Sequence, residues 1–470
     1  MNFKTIFKSF KNKDMLRRVL LVFTILVAYR FLAHVPVPLG NAATFKQAVN
    51  NLINSTDIGG FINLISGGGL TNFSIILVGL SPYITASIVM QLMTKAIPAM
   101  EELSQDGESG RRKINQWTRR LTIPLAIMQS IAYIYLLFQE VLSANTGSTT
   151  ALSPANWALA ITAMTAGSVL LMWLGELITE QGLGNGISLI IFCSIVSSFP
   201  TALASLSRDL FNTANGSLSL FGWLNLPVNP TAFYIVLGLG LGLLAVLYIL
   251  VKLNEAQRVI TINYAKRVHG NRSYGGIKSI IPIKLIAAGV IPVIFAVAFL
   301  SVPAFIGQLI LRGDPTSMIG RNMVSWFSAP SASRFNASVG LSAKDFIYPV
   351  LYFLLVVMFT YFYTSIVFNN KEIAENLQKQ GAFIDGVRPG RQTEQYFAHT
   401  INRLNLFGAL ALGFIAMLPF ITDYIFIATL GYPIGLSISG TGLLIVVTVA
   451  LENLRQVNSR ALMVTYDDFA

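Results

Sequence analysis

The sequence predicts an all-α polytopic membrane protein with ten transmembrane helices. Three observations carry that expectation. Of 470 residues, 54% are hydrophobic and only 11% charged, well under the ~25% charge usual in a soluble domain. Ten apolar runs are long enough to cross a bilayer, which takes roughly 20 residues. The formal net charge of +12 is also unevenly spread: 26 of the 33 Lys and Arg fall in the N-terminus, 95–120, 252–284, 371–403 and the tail. These are alternate connections between the apolar runs. Positive residues collect on the cytoplasmic side, so the alternation predicts a cell-membrane protein with both termini inside. A basic coat for nucleic acid would not alternate.

Span one covers 16–35. Basic residues precede it, no small-residue cleavage site follows, and HVPVP comes next, so it reads as a retained span rather than a cleaved leader. Arg30 is the one charge inside a span, and snorkelling to the outer interface explains it better than a counter-ion role. The stretch Gly59–Met93 follows. Its front piece, around Phe61, Leu64 and Ile65, is a short apolar helix candidate broken at Gly67, Gly68 and Gly69 before span two at 73–97. A piece so short sits at membrane depth only inside protein or a water-filled cavity, since lipid cannot satisfy the freed backbone groups. From the residues two readings stay open: a short helix lying in a cavity, or an external loop with an apolar patch.

Spans three, four and five cover 119–140, 156–176 and 184–206, and spans six and seven cover 231–251 and 282–303. Between the last two, RVITINYAKRVHGNRSYGGIKSI alternates apolar and polar residues around His269, Gly270 and Asn271, the pattern of a β-hairpin. Lys266, Arg267 and Arg272 cluster at its tip. Residues 304–345 read as surface loop with one short helix. Span eight covers 346–368. The next loop opens with a helix whose Ile373 and Leu377 share a face, and Gly381 suits its C-cap. A turn at GVRPG, carrying Arg388, leads to a helix from Thr393 and then to spans nine and ten at 403–421 and 432–451. Positive-inside charge explains the sign of these loops but not their ordered turn chemistry, which points to docking.

The ten spans divide into two fives, 1–206 and 207–470. An odd number per half gives the halves opposite orientations. Halves of one fold would then be an inverted repeat, an architecture that builds a pathway at the interface between them.

Enzyme chemistry finds no constellation here. Every Asp and Glu falls in a connection or at a span end, whereas an ion-coupled carrier keeps an ionisable group near the midplane. His34, His269 and His399 lie too far apart to share a metal, and no phosphate-binding GxxxxGK[ST] loop is present. No cofactor is expected. Cys193 is alone in an apolar run and reads as packing. Leu80 with Ile84, and Ile187 with Ile191, share helix faces at i, i+4; alone, these are ordinary apolar helix residues.

A resemblance runs through most of the chain in order. SGGGLTNFSI, GLSPYITASIVMQL, ESGRRKINQWTRRLT, MWLGELITEQGLGNGISLIIF, INYAKRV, AGVIPVIFA, YFYTSIVFN and EIAENLQKQGAFIDGVRPGRQTEQY resemble the SecY family, the channel subunit of the Sec protein translocase. The resemblance implies two inverted five-helix halves around a central pore, with residues 59–69 as a plug helix. It assigns Leu80, Ile84, Ile187, Ile191, Ile294 and Ile445 to a pore ring. Helix arithmetic at ~1.5 Å per residue puts Ile84, Ile294 and Ile445 mid-bilayer and Ile191 nearer the inner end. A lateral gate would form between spans two and three and spans seven and eight, with Thr85, Gln91 and Ile286 at it. The resemblance also implies that unfolded secretory preproteins cross the pore, while signal sequences and membrane segments leave sideways into lipid. The implied partners are SecE, SecG, and the SecA ATPase or the ribosome, at Lys266, Arg267, Arg272 and Arg388. Four departures stand out. Gln181 replaces the usual Arg, Ile286 an Asn, Leu80 an Ile, and SGTG replaces GGTS before span ten. They leave room for an accessory paralogue with a narrower client set.

Overall fold

The structure, a computed structural model, describes residues 13–38, 69, 72–144, 154–182, 184–211, 218–220, 224–226, 230–264, 267–269, 272–274, 278–286, 288–314, 316–328, 346–430 and 436–467. The first helices are α1 (Lys13–Leu32), α2 (Ser81–Ala96), α3 (Pro98–Gln105), α4 (Glu108–Ala144), α5 (Pro154–Glu180) and α6 (Gly186–Leu210). A small hairpin, β1 (Leu218–Leu220) and β2 (Leu224–Leu226), precedes α7 (Pro230–Glu255). Strands β3 (Gln257–Tyr264), β4 (Arg267–His269), β5 (Arg272–Tyr274) and β6 (Lys278–Lys284) follow. Then come α8 (Ile291–Gly313), α9 (Met318–Phe327), α10 (Ile347–Val367), α11 (Asn370–Lys379), β7 (Ala382–Phe383), α12 (Arg391–Leu430) and α13 (Leu436–Asp467). Among the described residues, five stretches are long and apolar enough to cross a membrane: Pro154–Glu180, Val236–Glu255, Ile291–Leu311, Ile347–Lys379 and Arg391–Leu418.

Helix ends follow local chemistry rather than the apolar boundary. The long helices α4 and α12 begin in basic, water-compatible sequence well before the apolar runs expected at 119 and 403. Span seven is corrected more deeply. The segment expected to start it at 282 is the end of β6, and the helix begins at Ile291 after Gly289, whose φ is +63°. KSIIPIK alternates, so the ladder with β3 takes it, and Pro292 then suits the first turn of α8. The helix runs on to Gly313 and turns back into α9, capped where the Ser317 hydroxyl accepts from Gly320 N at 3.4 Å.

Span two is half helix. Its helix α2 has 16 residues, about 24 Å, short of the ~30 Å hydrocarbon core. Residues 72–80 precede it as a run of turns, and Phe73, Ile76, Leu77, Val78 and Leu80 are all buried. Irregular backbone is tolerated at such depth only when wrapped by protein, and its polar groups are met here. Val37 N donates to Phe73 O at 2.9 Å, Ile75 N to Val35 O at 3.0 Å, and the Ser168 hydroxyl to Gly79 O at 2.9 Å.

The expected β-hairpin is present. β3 and β6 pair antiparallel from Gln257↔Lys284 to Asn263↔Lys278, and β4 pairs β5 with His269 opposite Arg272. Two-residue β7 adds to the other edge of β3 through Asn263↔Phe383. Ile260, Ile262 and Ile283 then bury against Leu377, Ile384, Phe397 and Ile401, so the two basic loops make one subdomain. The helix expected from Asn370 is α11, capped by Asn369, and Gly381 ends it at φ +68°.

Candidate channel constriction and lateral cleft

The largest core cluster brings together the residues proposed for the ring. Leu80 is 1% exposed, Ile84 4%, Ile191 2%, Ile294 9% and Ile445 6%. All five belong to the same apolar cluster, and half-buried Ile187 packs against it. They come from four elements distant in sequence: α2 with its preceding turn, the start of α6, the start of α8, and α13. Ile191 and Ile294 both lie within two turns of their helix starts. Leu80 is the N-cap residue of α2, and its carbonyl accepts from Ile84 N at 3.0 Å. Branched aliphatic side chains offer no directional bond and hold water poorly, so a constriction lined by them would block ions while imposing no sequence preference on a peptide.

A cleft of about 280 Å³ opens beside this cluster between α2, α4 and α8. Ile84 and Ile294 line it as well as belonging to the cluster. Thr85 is on its wall, its hydroxyl donating to Ser81 O at 3.0 Å. Tyr133 and Phe305 also line it, with ring centroids 5.2 Å apart. Gln91 and Ile286 are not on the lining. The Gln91 amide donates to the Ser87 hydroxyl at 3.2 Å, and Ile286 is buried in the turn before α8, beside Gly408 of α12.

The cleft also contains a residue that sequence reasoning passed over. Gln129 of α4 lines it, and its side-chain oxygen is buried with no hydrogen-bond partner among the described residues. The signal was available as a single amide in the apolar run TIPLAIMQSIAYIYL, which carries no charge. Ser81 and Ser301 add hydroxyls to the same wall, the latter donating to Ala298 O at 2.7 Å.

Of the proposed plug, Gly59, Phe61, Leu64, Ile65, Gly67 and Gly68 lie outside the described residues. Gly69 is buried, and its carbonyl accepts from Ser74 N at 2.9 Å. Among the loop cations, Lys266 is likewise outside the described residues, while Arg267 and Arg272 stand on paired strands β4 and β5. Exposed Arg388 sits in a turn held on both sides: its N donates to Gln392 Oε1 at 3.3 Å, and its carbonyl accepts from Thr393 Oγ1 at 3.0 Å. Asn263 Nδ2 donates to Asp385 Oδ1 at 2.5 Å, tying the first basic loop to the second. At the end of β6, burial and then the Arg455 guanidinium push the Lys284 ammonium below its usual range, with Glu452 opposing them.

The SecY family model matches residues 74–454. Relatives named protein translocase subunit SecY include those of Streptomyces galbus, 37% identical over 467 residues, and Mycobacterium bovis, 35% identical over 465 residues. Each alignment covers 98% of this chain and 98% of the relative. Among solved structures, a protein-conducting channel matches with TM-score 0.55 at 19% identity, covering 93% of this chain and 90% of its own. Canine Sec61 in a ribosome–channel complex matches with the same score and coverage. A further match, at TM-score 0.55 and 20% identity, is a SecY whose plug domain is described as stabilising the closed state and maintaining a membrane seal. With a family match across four-fifths of its length and full-length relatives above one-third identity, the chain belongs to the SecY family.

Proposed function

We propose that the chain is the central protein-conducting channel subunit of a Sec translocase, a conduit rather than an enzyme. Unfolded secretory proteins cross through the aliphatic ring of Leu80, Ile84, Ile187, Ile191, Ile294 and Ile445. Signal sequences and membrane segments leave sideways through the cleft that Thr85 lines. One observation carries the reading. Aliphatic residues from four distant elements meet in one cluster, and two of them, Ile84 and Ile294, also face a cleft between separate helices. The fuller architecture belongs to the same proposal: ten spans in two inverted halves, 1–206 and 207–470, both termini cytoplasmic, and residues 59–69 as plug. So do the partners, SecE and SecG in the membrane and SecA or the ribosome at the subdomain carrying Lys266, Arg267, Arg272 and Arg388. The ordered turns of that subdomain support docking, since a rigid basic surface gives a partner fixed geometry as well as charge.

The test is proximity to a moving chain. A photo-reactive residue at Ile84, Ile191, Ile294 or Ile445 is expected to cross-link a stalled secretory polypeptide. The same probe at Phe407, 74% exposed on α12, is expected not to. No labelling at the four ring positions, or equal labelling at Phe407, overturns the reading.

A further inference from the structure

The turn between α5 and α6, described at Gln181, Gly182, Gly184 and Asn185, is gripped from three sides. From α1, Arg18 Nη1 donates to Gln181 O at 3.2 Å. Within the turn, Gly186 N donates to Thr179 Oγ1 at 2.9 Å, and Asn185 caps α6 by accepting from Ile187 N at 3.1 Å and Ser188 N at 3.4 Å. The third grip comes from the far end of the chain. Gly182 has φ +66° and Gly184 φ +147°, backbone that suits glycine. A Cβ on Gly182 would run into the Arg460 guanidinium, and one on Gly184 into Asn453 Oδ1, with Gln456 Oε1 at 3.6 Å. The glycines are therefore the seat on which these α13 side chains rest.

That contact continues a helix pair that carries the ring. Gly442, Ile445, Val449, Asn453, Gln456 and Arg460 fall within an arc of about 80° on α13 at 3.6 residues per turn. Gly442 meets Ile195 of α6, Ile445 shares the ring cluster with Ile191, and Asn453 meets Gly184. The two helices thus run antiparallel in one register, apolar at the ring and polar at the turn. Opposite that face, Arg455 donates to Asn254 O at 2.8 Å and to Asn254 Oδ1 at 3.3 Å, anchoring α13 to the end of α7.

We propose that Asn453, Gln456 and Arg460 form a clamp that seats the 181–186 turn and so fixes the axial position of α6. They are positioning residues: Ile187 and Ile191 ride on the first two turns of α6, and the clamp holds them level with Ile445. The turn cannot yield alone, because Gly186 packs directly on the Gly175 carbonyl of α5. Loosening the α13 extension therefore releases the α5–α6 corner from the second half of the chain. Arg460 and Arg18 also place cations at the carbonyl end of α5, where the helix dipole favours them. The functional consequence rests on the proposed pore ring.

Hydrogen exchange and ion conductance of the purified complex test this together. Arg460→Ala and Asn453→Ala are expected to speed exchange at Gly186, Ile187 and Ser188 by roughly an order of magnitude, as local opening becomes easier. Leu454→Ala, changing an exposed neighbour, leaves it unchanged. Loss of either side chain frees the same turn, so the Asn453→Ala/Arg460→Ala pair is expected to do little more than the worse single change. Resting conductance in planar bilayers, read with residues 59–69 deleted in every variant so that the proposed plug does not mask a leak, should rise severalfold in the variants that exchange faster. Unchanged exchange, or additive effects in the pair, overturns the clamp. Faster exchange with no leak overturns its tie to the seal. Ile191→Gly/Ile445→Gly, run alongside, separates the two readings, for if that pair also stays tight it is the pore ring that fails.

Discussion

Gln129 and Ile286 show how differently single residues read in sequence and in space. Gln129 holds an unpartnered buried oxygen in the cleft, a condition costing about 1–3 kcal/mol. Gln129→Leu removes that cost from the closed cleft and is expected to favour closure. In an export series with graded signal hydrophobicity, the weakest signals should lose severalfold efficiency while strong ones keep theirs; an unchanged cutoff would show the amide has no part in gating. Ile286 was expected at the gate because the family carries Asn there. It lies instead in the core cluster beside Gly408 of α12. Ile286→Asn thus buries an amide in apolar surroundings, so a thermal midpoint lower by about 1–3 °C is expected, the result of about 1–3 kcal/mol of lost stability in a chain this long. A looser gate at unchanged midpoint would contradict that. Position in the chain marked Ile286 as interesting, but only the fold could say which helix it touches.

At the scale of elements, alternation and turn chemistry were legible and long-range pairing was not. The β3–β6 hairpin followed from the pattern around His269, and α11 from Ile373, Leu377 and Gly381. The joining of both loops through β7 could not be foreseen, because two residues carry no period. The same competition misplaced span seven: IIPIK is apolar enough for a membrane, yet pairing with β3 captures it. The merged subdomain gives Arg388 a rigid setting, with its backbone bonded to Gln392 and Thr393 and its side chain exposed. Arg388→Glu is accordingly expected to weaken binding of the cytoplasmic motor by tenfold or more, about 1.4 kcal/mol, with the thermal midpoint unchanged because no core is disturbed. Motor affinity measured on reconstituted complex decides it, and full affinity in the variant would remove Arg388 from the docking surface.

Across the whole molecule, composition made the membrane class readable, since bilayer thickness acts on sequence directly. The meeting of Leu80, Ile84, Ile191, Ile294 and Ile445 was not readable from periodicity, because each lies in an ordinary apolar run and only the resemblance singled them out. Their burial in one cluster would make the proposed seal a collective property. Replacing one isoleucine by glycine leaves neighbours that close inward, and the proposed plug at 59–69 fills what remains. A dry gap blocks ions because shedding hydration without replacement partners is costly, and it stays dry until it is wide enough to wet. Single ring variants, and deletion of 59–69 alone, are therefore expected to conduct little. Combining Ile84→Gly, Ile191→Gly and Ile445→Gly with the deletion removes both barriers at once. The combined leak should exceed the sum of the separate ones by roughly tenfold, a coupling of about 1.4 kcal/mol between elements in contact. Planar-bilayer conductance of the purified complex without substrate reads this directly. Strictly additive leaks would mean that ring and plug seal independently, and none at all would make these isoleucines plain helix packing.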